Sequence, residues 1–225
     1  LASQTLDLPR MQAVLRPYQT EGVKWIRHLY DNNLGGCLAD DMGLGKTIQT
    51  IAMLSAIYPG QEQPSLIVMP RSLIFNWQNE IKRFCPELST YIYYAFDRDM
   101  DEARKANVIL TTYAMVRNDI EKFSKERFHY VILDESQNIK NIEAQTTRAI
   151  YLLEADHRLA LSGTPLENNL SELFSLFRFL NPGMLGDIDD FNRRYAGPIM
   201  RDDDKDAMAS LRRRIFPFML RRLKK

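Results

Sequence analysis

Apolar and polar positions divide this chain into strand-length and helix-length pieces that take turns. Leu66-Ile67-Val68-Met69, Val108-Ile109-Leu110-Thr111, Tyr130-Val131-Ile132-Leu133 and Arg158-Leu159-Ala160-Leu161 are short, nearly continuous apolar runs. Such runs fit strands covered on both faces of a parallel sheet. Residues 36–39 and 91–95 are further strand candidates. Between them the spacing turns helical. Val23, Ile26, Leu29 and Tyr30 share one face, as do Leu73, Trp77, Ile81 and Phe84. Helices are also predicted over 47–58, 97–106, 113–123, 143–153 and 170–180, with Pro59-Gly60 and Pro70 as stops. Strands alternating with helices predict an α/β fold, a mostly parallel central sheet with helices on both faces. In such sheets ligands bind at the carboxyl ends of the strands. From Asn181 the apolar strands stop, and Pro182, Gly183, Gly186, Gly197 and Pro198 punctuate a charged helical tail. Residues 1–180 are expected to form one lobe, and 181–225 an appended extension rather than an independent core.

Composition changes this picture little. Hydrophobic residues make up 45% and charged residues 26%, ordinary for a chain that buries a sizeable core. The net charge of +1 gives no general argument for nucleic acid. The local exception is 205–225, where Arg212, Arg213, Arg214, Arg221, Arg222, Lys224 and Lys225 face only one acid, Asp206. Two cysteines, Cys37 and Cys85, are too few for a disulfide framework and suggest a reducing compartment. No apolar run approaches the ~18 residues needed to span a bilayer. A soluble intracellular protein is expected, in the cytoplasm or nucleoid of a bacterium or the nucleus of a eukaryote. Leu1 at the start and Lys225 at the end suggest a piece of a longer chain.

The candidate chemistry starts at LADDMGLGKTIQ, residues 38–49. The phosphate-binding loop has the pattern G-x-x-x-x-G-K-[ST], with Asp40 here at the first glycine position. Gly43 and Gly45 allow backbone N–H groups to turn toward a phosphate. Lys46 supplies a charge for the β- and γ-phosphates, and the Thr47 hydroxyl can ligate Mg²⁺. The following helix aims its N-terminal dipole at the same anion. The motif needs a distant acid, and the apolar run 130–133 ends in Asp134-Glu135. In phosphate-loop ATPases the first acid holds Mg²⁺. The second is suited to activate the attacking water as general base.

DDMGLGKT, LIVMPRSLIFNW, ILTTYAMV, LDESQNIKN, LALSGTPLENNLSELFSLFRFLNP and PFMLRRLKK resemble, in that order, the SWI/SNF-type ATPases of helicase superfamily two. The resemblance implies the first of two RecA-like lobes of a motor that translocates along double-stranded DNA, using ATP and Mg²⁺. It implies nucleotide contacts from Gln19, Asp40, Asp41, Met42, Gly43, Leu44, Gly45, Lys46 and Thr47, with Gln19 reading the adenine edge. Lys46, Asp134 and Glu135 are the implied catalytic residues, and Thr47 and Asp134 the metal ligands. Arg71, Ser72, Thr111 and Thr112 would touch the DNA backbone, while Leu73, Phe75 and Trp77 are expected in core or helix packing. Ser162, Gly163 and Thr164 would couple nucleotide state to DNA contacts.

Two departures stand out. The acidic box reads Asp134-Glu135-Ser136-Gln137 where many relatives have Ala and His last, and Gln137 is expected to bond toward Ser162 or Thr164. Asp40-Asp41 fits the family better than the general loop. The resemblance implies a second lobe, carrying the arginines that complete the site, that is expected to lie outside this piece, so poor hydrolysis by this piece alone is expected. The basic tail can contact phosphates or pack against that lobe. A DNA-bound protein complex is the expected target, and a strand-separating helicase and a catalytically silent DNA-binding or scaffolding module remain the alternative readings.

Overall fold

The computed structural model describes residues 7–164 and 169–224. Residues 1–6, the 165–168 part of the SGTPLENN block and Lys225 lie outside the described residues. The chain runs α1 (Pro17–Asp31), β1 (Gly36–Leu38), α2 (Lys46–Ile57), β2 (Ser65–Met69), α3 (Ile74–Phe84), β3 (Thr90–Tyr93), α4 (Met100–Ala103) and β4 (Val108–Thr112). It continues through α5 (Tyr113–Asn118), α6 (Ile120–Phe123), β5 (Arg127–Leu133), α7 (Gln145–Tyr151), β6 (Glu154–Leu161) and α8 (Leu170–Leu180). The tail holds α9 (Ile188–Phe191), a π-turn at Asn192–Ala196, α10 (Gly197–Asp202), α11 (Lys205–Ile215) and β7 (Met219–Leu220). The strands form one parallel sheet in the order β3-β4-β2-β5-β6-β1-β7. This is the α/β fold expected from the alternating pattern, with the RecA-like arrangement that the resemblance implies.

The apolar runs are continuous because both faces of the sheet are covered. Leu66, Val68, Ile109, Val131, Leu133 and Ala160 face one core, packed by Val116, Phe123, Ile150, Phe174 and Phe177. Their strand neighbours Ile67, Met69, Leu110, Ile132, Leu159 and Leu161 face the other, under Val23, Ile26, Leu54, Trp77 and Ile81. The period-2 alternation thus separates two helical layers rather than core from solvent.

Several expected elements are shorter. The 97–106 helix contracts to Met100–Ala103, and strand 91–95 is Thr90–Tyr93. The 113–123 helix breaks at Asp119, whose carboxylate accepts from Tyr93 Oη at 2.6 Å and Arg98 Nε at 2.7 Å. The expectation that strands stop at Asn181 needs correction. Met219 and Leu220 pair in parallel with Cys37 and Leu38, so the sheet has a seventh strand. Leu185, Phe191, Tyr195 and Leu211 are buried in the first core, so the tail packs on the lobe. Both cysteines are free and buried, and burial pushes the Cys37 thiol up to about 12. No helix of the described residues is long and apolar enough to cross a membrane.

In the amino-terminal half of the sheet, Tyr30 stacks on His157 at 4.0 Å and its hydroxyl meets His129 Nε2 at 2.7 Å. Burial lowers both histidines, His157 to about 4, with His129 adding repulsion and Asp156 and Asp31 opposing. The native state therefore binds fewer protons than the unfolded chain between about pH 4 and 6.5. Stability rises with pH across that window and is lost on acidification. His157→Phe keeps the stack and removes the titration. Unfolding free energies from urea titrations at pH 7 and pH 5 should differ by about 1–2 kcal/mol less in this variant than in the parent.

Candidate functional site

The sheet order decides which loops meet. β6 lies between β1 and β5, and adjacent strands are ~4.8 Å apart. The loop after β1 and the acids after β5 are therefore held about two strand spacings apart, roughly 10 Å. The Ser162–Thr164 turn emerges between them. Ser162 N donates to Leu38 O at 3.1 Å, tying that turn to the end of β1.

The loop itself is built on two left-handed glycines, Gly43 at φ 86° and Gly45 at φ 90°. A Cβ on Gly45 would stand 2.6 Å from Gln19 Nε2, so glycine is required there by both conformation and space. Gly45 is the N-cap of α2, and no side chain among the described residues caps that helix. Its first N–H groups are left to a ligand. Lys46 Nζ donates to Asp40 O at 2.7 Å, and a Cβ on Gly163 would be 3.8 Å from that ammonium. The same Cβ would be 3.4 Å from Met42 Cγ. Lys46 and Met42 thus bring the phosphate loop against the Ser162–Thr164 turn.

Tyr18 and Gln19 on α1 brace the loop from the other side. Tyr18 Oη and Gln19 Nε2 both donate to Leu44 O, at 2.9 and 3.2 Å. Gln19 Oε1 accepts from Arg16 N at 2.9 Å. Both ends of the amide are engaged with the chain.

Asp134 is buried at the end of β5. Trp77 Nε1 donates to Asp134 Oδ2 at 2.8 Å, and Glu135 N donates to Oδ1 at 2.8 Å. Tyr113 Oη donates to the Asp134 carbonyl at 2.6 Å. Desolvation raises the Asp134 carboxyl above the usual range, opposed by the Trp77 and Glu135 N–H groups and by the charge of Lys46. Glu135 has φ 50°, a left-handed conformation outside glycine, which turns its side chain away from the strand direction. Gln137 Nε2 donates to Glu135 Oε2 at 2.5 Å.

This arrangement fits Mg-ATP. A backbone cradle with an unspent helix terminus suits a polyphosphate, and Lys46 adds a cation beside it. Thr47 and Asp134 could hold Mg²⁺, which takes few protein ligands and keeps phosphate oxygens and waters.

Not every expected contact is made. Gln137 bonds to Glu135 rather than to Ser162 or Thr164, and its Oε1 is buried without a partner among the described residues. Ser162 Oγ and Thr164 Oγ1 instead bond each other at 3.1 Å. The reason is local, since the turn Ser136–Ile139 starts at Glu135 and folds Gln137 back over it.

Arg71 and Ser72 are exposed on a short 3-10 turn, with the Arg71 guanidinium 5.3 Å over the Tyr94 ring. Thr111 does not join them. It is fully buried, and its hydroxyl donates to Tyr93 O at 2.7 Å, completing the strand end. Thr112 accepts from Met115 N at 3.1 Å and caps α5. Phe75 is 69% exposed, not packed, because Ile74, Trp77 and Ile81 occupy the inward stripe of α3.

Two site residues are not evident from local pattern. Trp77 is indistinguishable in sequence from an apolar core residue, yet it holds Asp134 through its indole N–H. Tyr113 had no signal beyond its place after β4. Only the pairing of β2 with both β4 and β5 brings these helices onto the acid.

The family profile described as SNF2-related domain matches residues 18–225. YwqA of Bacillus subtilis, named as an ATP-dependent helicase/translocase, is 42% identical over 224 residues. That match takes in 96% of this chain and 24% of YwqA. Helicase ssl-1 of Caenorhabditis elegans is 42% identical over 94% of this chain and 9% of its own length. The chain thus spans a quarter or less of these curated relatives. The Sulfolobus solfataricus SWI2/SNF2 ATPase core in complex with dsDNA superposes with a TM-score of 0.93 at 40% identity, over 98% of this chain and 47% of that one. Six sequence blocks, one fold and a match over most of the length agree, and the chain belongs to the SNF2-related domain family.

Proposed function

We propose that this chain is the ATP-binding lobe of a DNA-dependent ATPase that translocates along double-stranded DNA and remodels protein bound to it. The observation that carries this reading is the placing of the glycine loop and Lys46 after β1 and of the paired acids Asp134 and Glu135 after β5, with one strand between. In this reading the lobe takes in residues 1–180 together with the packed tail and its strand β7, and a second RecA-like lobe belongs to the same full-length protein.

In this reading the N-terminal amides of α2 and the Lys46 ammonium bind the β- and γ-phosphates of ATP. Lys46 exchanges the Asp40 carbonyl for phosphate oxygen when nucleotide arrives. Thr47 and Asp134 hold Mg²⁺, which supplies charge neutralisation on the phosphates when bound. Trp77 keeps Asp134 aimed while burial excludes competing water. Glu135 takes a proton from the attacking water, and the Gln137 amide holds that carboxylate in place. Gln19 moves its amide from Leu44 to the adenine edge, and the Ser162–Thr164 turn, seated against Met42 and Lys46, relays occupancy. Arg71 and Ser72 meet DNA phosphates; burial removes Thr111 and Thr112, 0% and 4% exposed, from that set. The dsDNA in the related Sulfolobus structure supports this partner.

Hydrolysis by this lobe alone is proposed to be slow. In related phosphoryl transfer an arginine supplied from elsewhere contributes about 10³–10⁵ in rate. The matched fraction of the relatives leaves ample chain to supply it.

Lys46→Ala should weaken Mg-ATP binding by at least about tenfold, measured by equilibrium titration with a fluorescent nucleotide. Glu135→Gln in the full-length protein should bind Mg-ATP as the parent does and lose DNA-stimulated phosphate release by about 10²-fold or more. Unchanged phosphate release in both variants would falsify the assigned mechanism. For DNA, Arg71→Ala should weaken binding uniformly across sequences and lower the salt slope by about one. A slope equal to that of the parent removes Arg71 from the backbone contacts.

A further inference from the structure

Arg222 reaches the phosphate loop from the far end of the chain. It follows β7, which lies beside β1, and its backbone N and Nε both donate to Asp40 Oδ1, at 2.9 and 3.0 Å. Nη2 donates to Asp40 Oδ2 at 2.5 Å and to Gln49 Oε1 at 2.7 Å. Nη1 donates to Tyr18 O, and the guanidinium lies 5.3 Å from the Tyr18 ring. Asp40 itself is 0% exposed.

Each partner leads on into the nucleotide loop. The Asp40 carbonyl accepts from Lys46 Nζ, so the residue held by Arg222 is the one on which Lys46 rests. Gln49 Nε2 donates to Gly45 O at 2.9 Å, the carbonyl of the second left-handed glycine. Tyr18 donates to Leu44 O. Three separate paths thus run from one guanidinium to Lys46, Gly45 and Leu44. The neighbouring backbone reinforces them: Ala39 N donates to Leu220 O at 2.7 Å, Asp41 N to Arg222 O at 3.0 Å, and Lys224 N to Asp41 Oδ2 at 2.9 Å. Space has been cleared for the junction. A Cβ on Gly22 would stand 1.8 Å from Gln49 Oε1 and 2.7 Å from Arg222 Nη2.

A general phosphate loop has glycine where Asp40 stands, and a buried carboxylate there is costly unless paired. An added pair at this position needs a purpose that a glycine does not meet. We infer that Arg222 is a positioning residue of the nucleotide site, and that through Asp40 and Gln49 it sets the loop geometry and ties the 219–224 segment to nucleotide occupancy. The inference rests on the reading of 38–49 as a nucleotide loop. Coupling of this kind is reciprocal: if Arg222 favours the binding-competent loop, bound nucleotide must tighten the segment that carries it.

The test uses the complete chain and Mg-ADP with a fluorescent ribose label as probe. Arg222→Ala leaves Asp40 buried and unpaired and is prone to unfold, so the informative variant is the double neutral one, Asp40→Asn with Arg222→Met. Two readouts are taken: the dissociation constant, and amide hydrogen exchange at residues 219–224 with and without Mg-ADP. A folded double variant should bind at least about tenfold more weakly than the parent. Mg-ADP should slow exchange at the Arg222 and Lys224 amides in the parent and leave them unchanged in the variant. Arg222→Lys, which keeps the charge but not the fork, should fall between the two. Equal affinity in parent and double variant, with the apo melting temperature alone lowered, makes the pair a structural staple and overturns the inference. Absence of any binding by the parent overturns the nucleotide reading and this one with it.

Discussion

The constraint on which this molecule depends is the double burial of a parallel sheet. A strand covered on both faces has no room for an unpaired charge along its length. Polar side chains are therefore pushed to strand ends, and parallel pairing puts all carboxyl ends on one side. Lys46, Asp134, Glu135 and the Ser162–Thr164 turn are neighbours for that reason. They come from three strands and nearly 120 residues of sequence, yet the order β5-β6-β1 leaves them nowhere else to go.

Burial also sets the character of the acid. Asp134 is aimed by an indole N–H, a backbone N–H and the distant charge of Lys46, while desolvation works against its ionised form. Such a carboxylate gains from a cation more than an exposed one does. The left-handed Glu135 adds a second local cost, of order 1 kcal/mol, that the surrounding contacts sustain. Both features mark a site arranged for a ligand rather than for the stability of the lobe alone.

How much of this was legible in the sequence follows from the range of each signal. Strands β2, β4, β5 and β6 were readable because continuous apolar runs arise from local composition. The loop and the paired acids were readable because their motifs are contiguous. β7 was not, since two residues in Phe-Pro-Phe-Met-Leu have no period, and only pairing with β1 makes them a strand. Gln137 was misplaced because its partner depends on a left-handed turn at Glu135, a conformation that nothing in Asp-Glu-Ser-Gln specifies. Thr111 failed for a similar reason. Whether a hydroxyl at a strand end points out or back depends on the neighbouring strand, here Tyr93 of β3. Arg222 looked like one of several surface cations, and its partner stands 182 residues away.

The two-residue strand β7 has one more consequence. It occupies the outer edge of β1, a three-residue strand with no exposed position. Long open edges invite pairing with other chains, and short, charged ones discourage it. Ending the sheet with Met219-Leu220 leaves an edge only two residues long on this side, with Arg221 following at once. The same four residues, 219–222, thus border β1 and reach the Asp40 carboxylate.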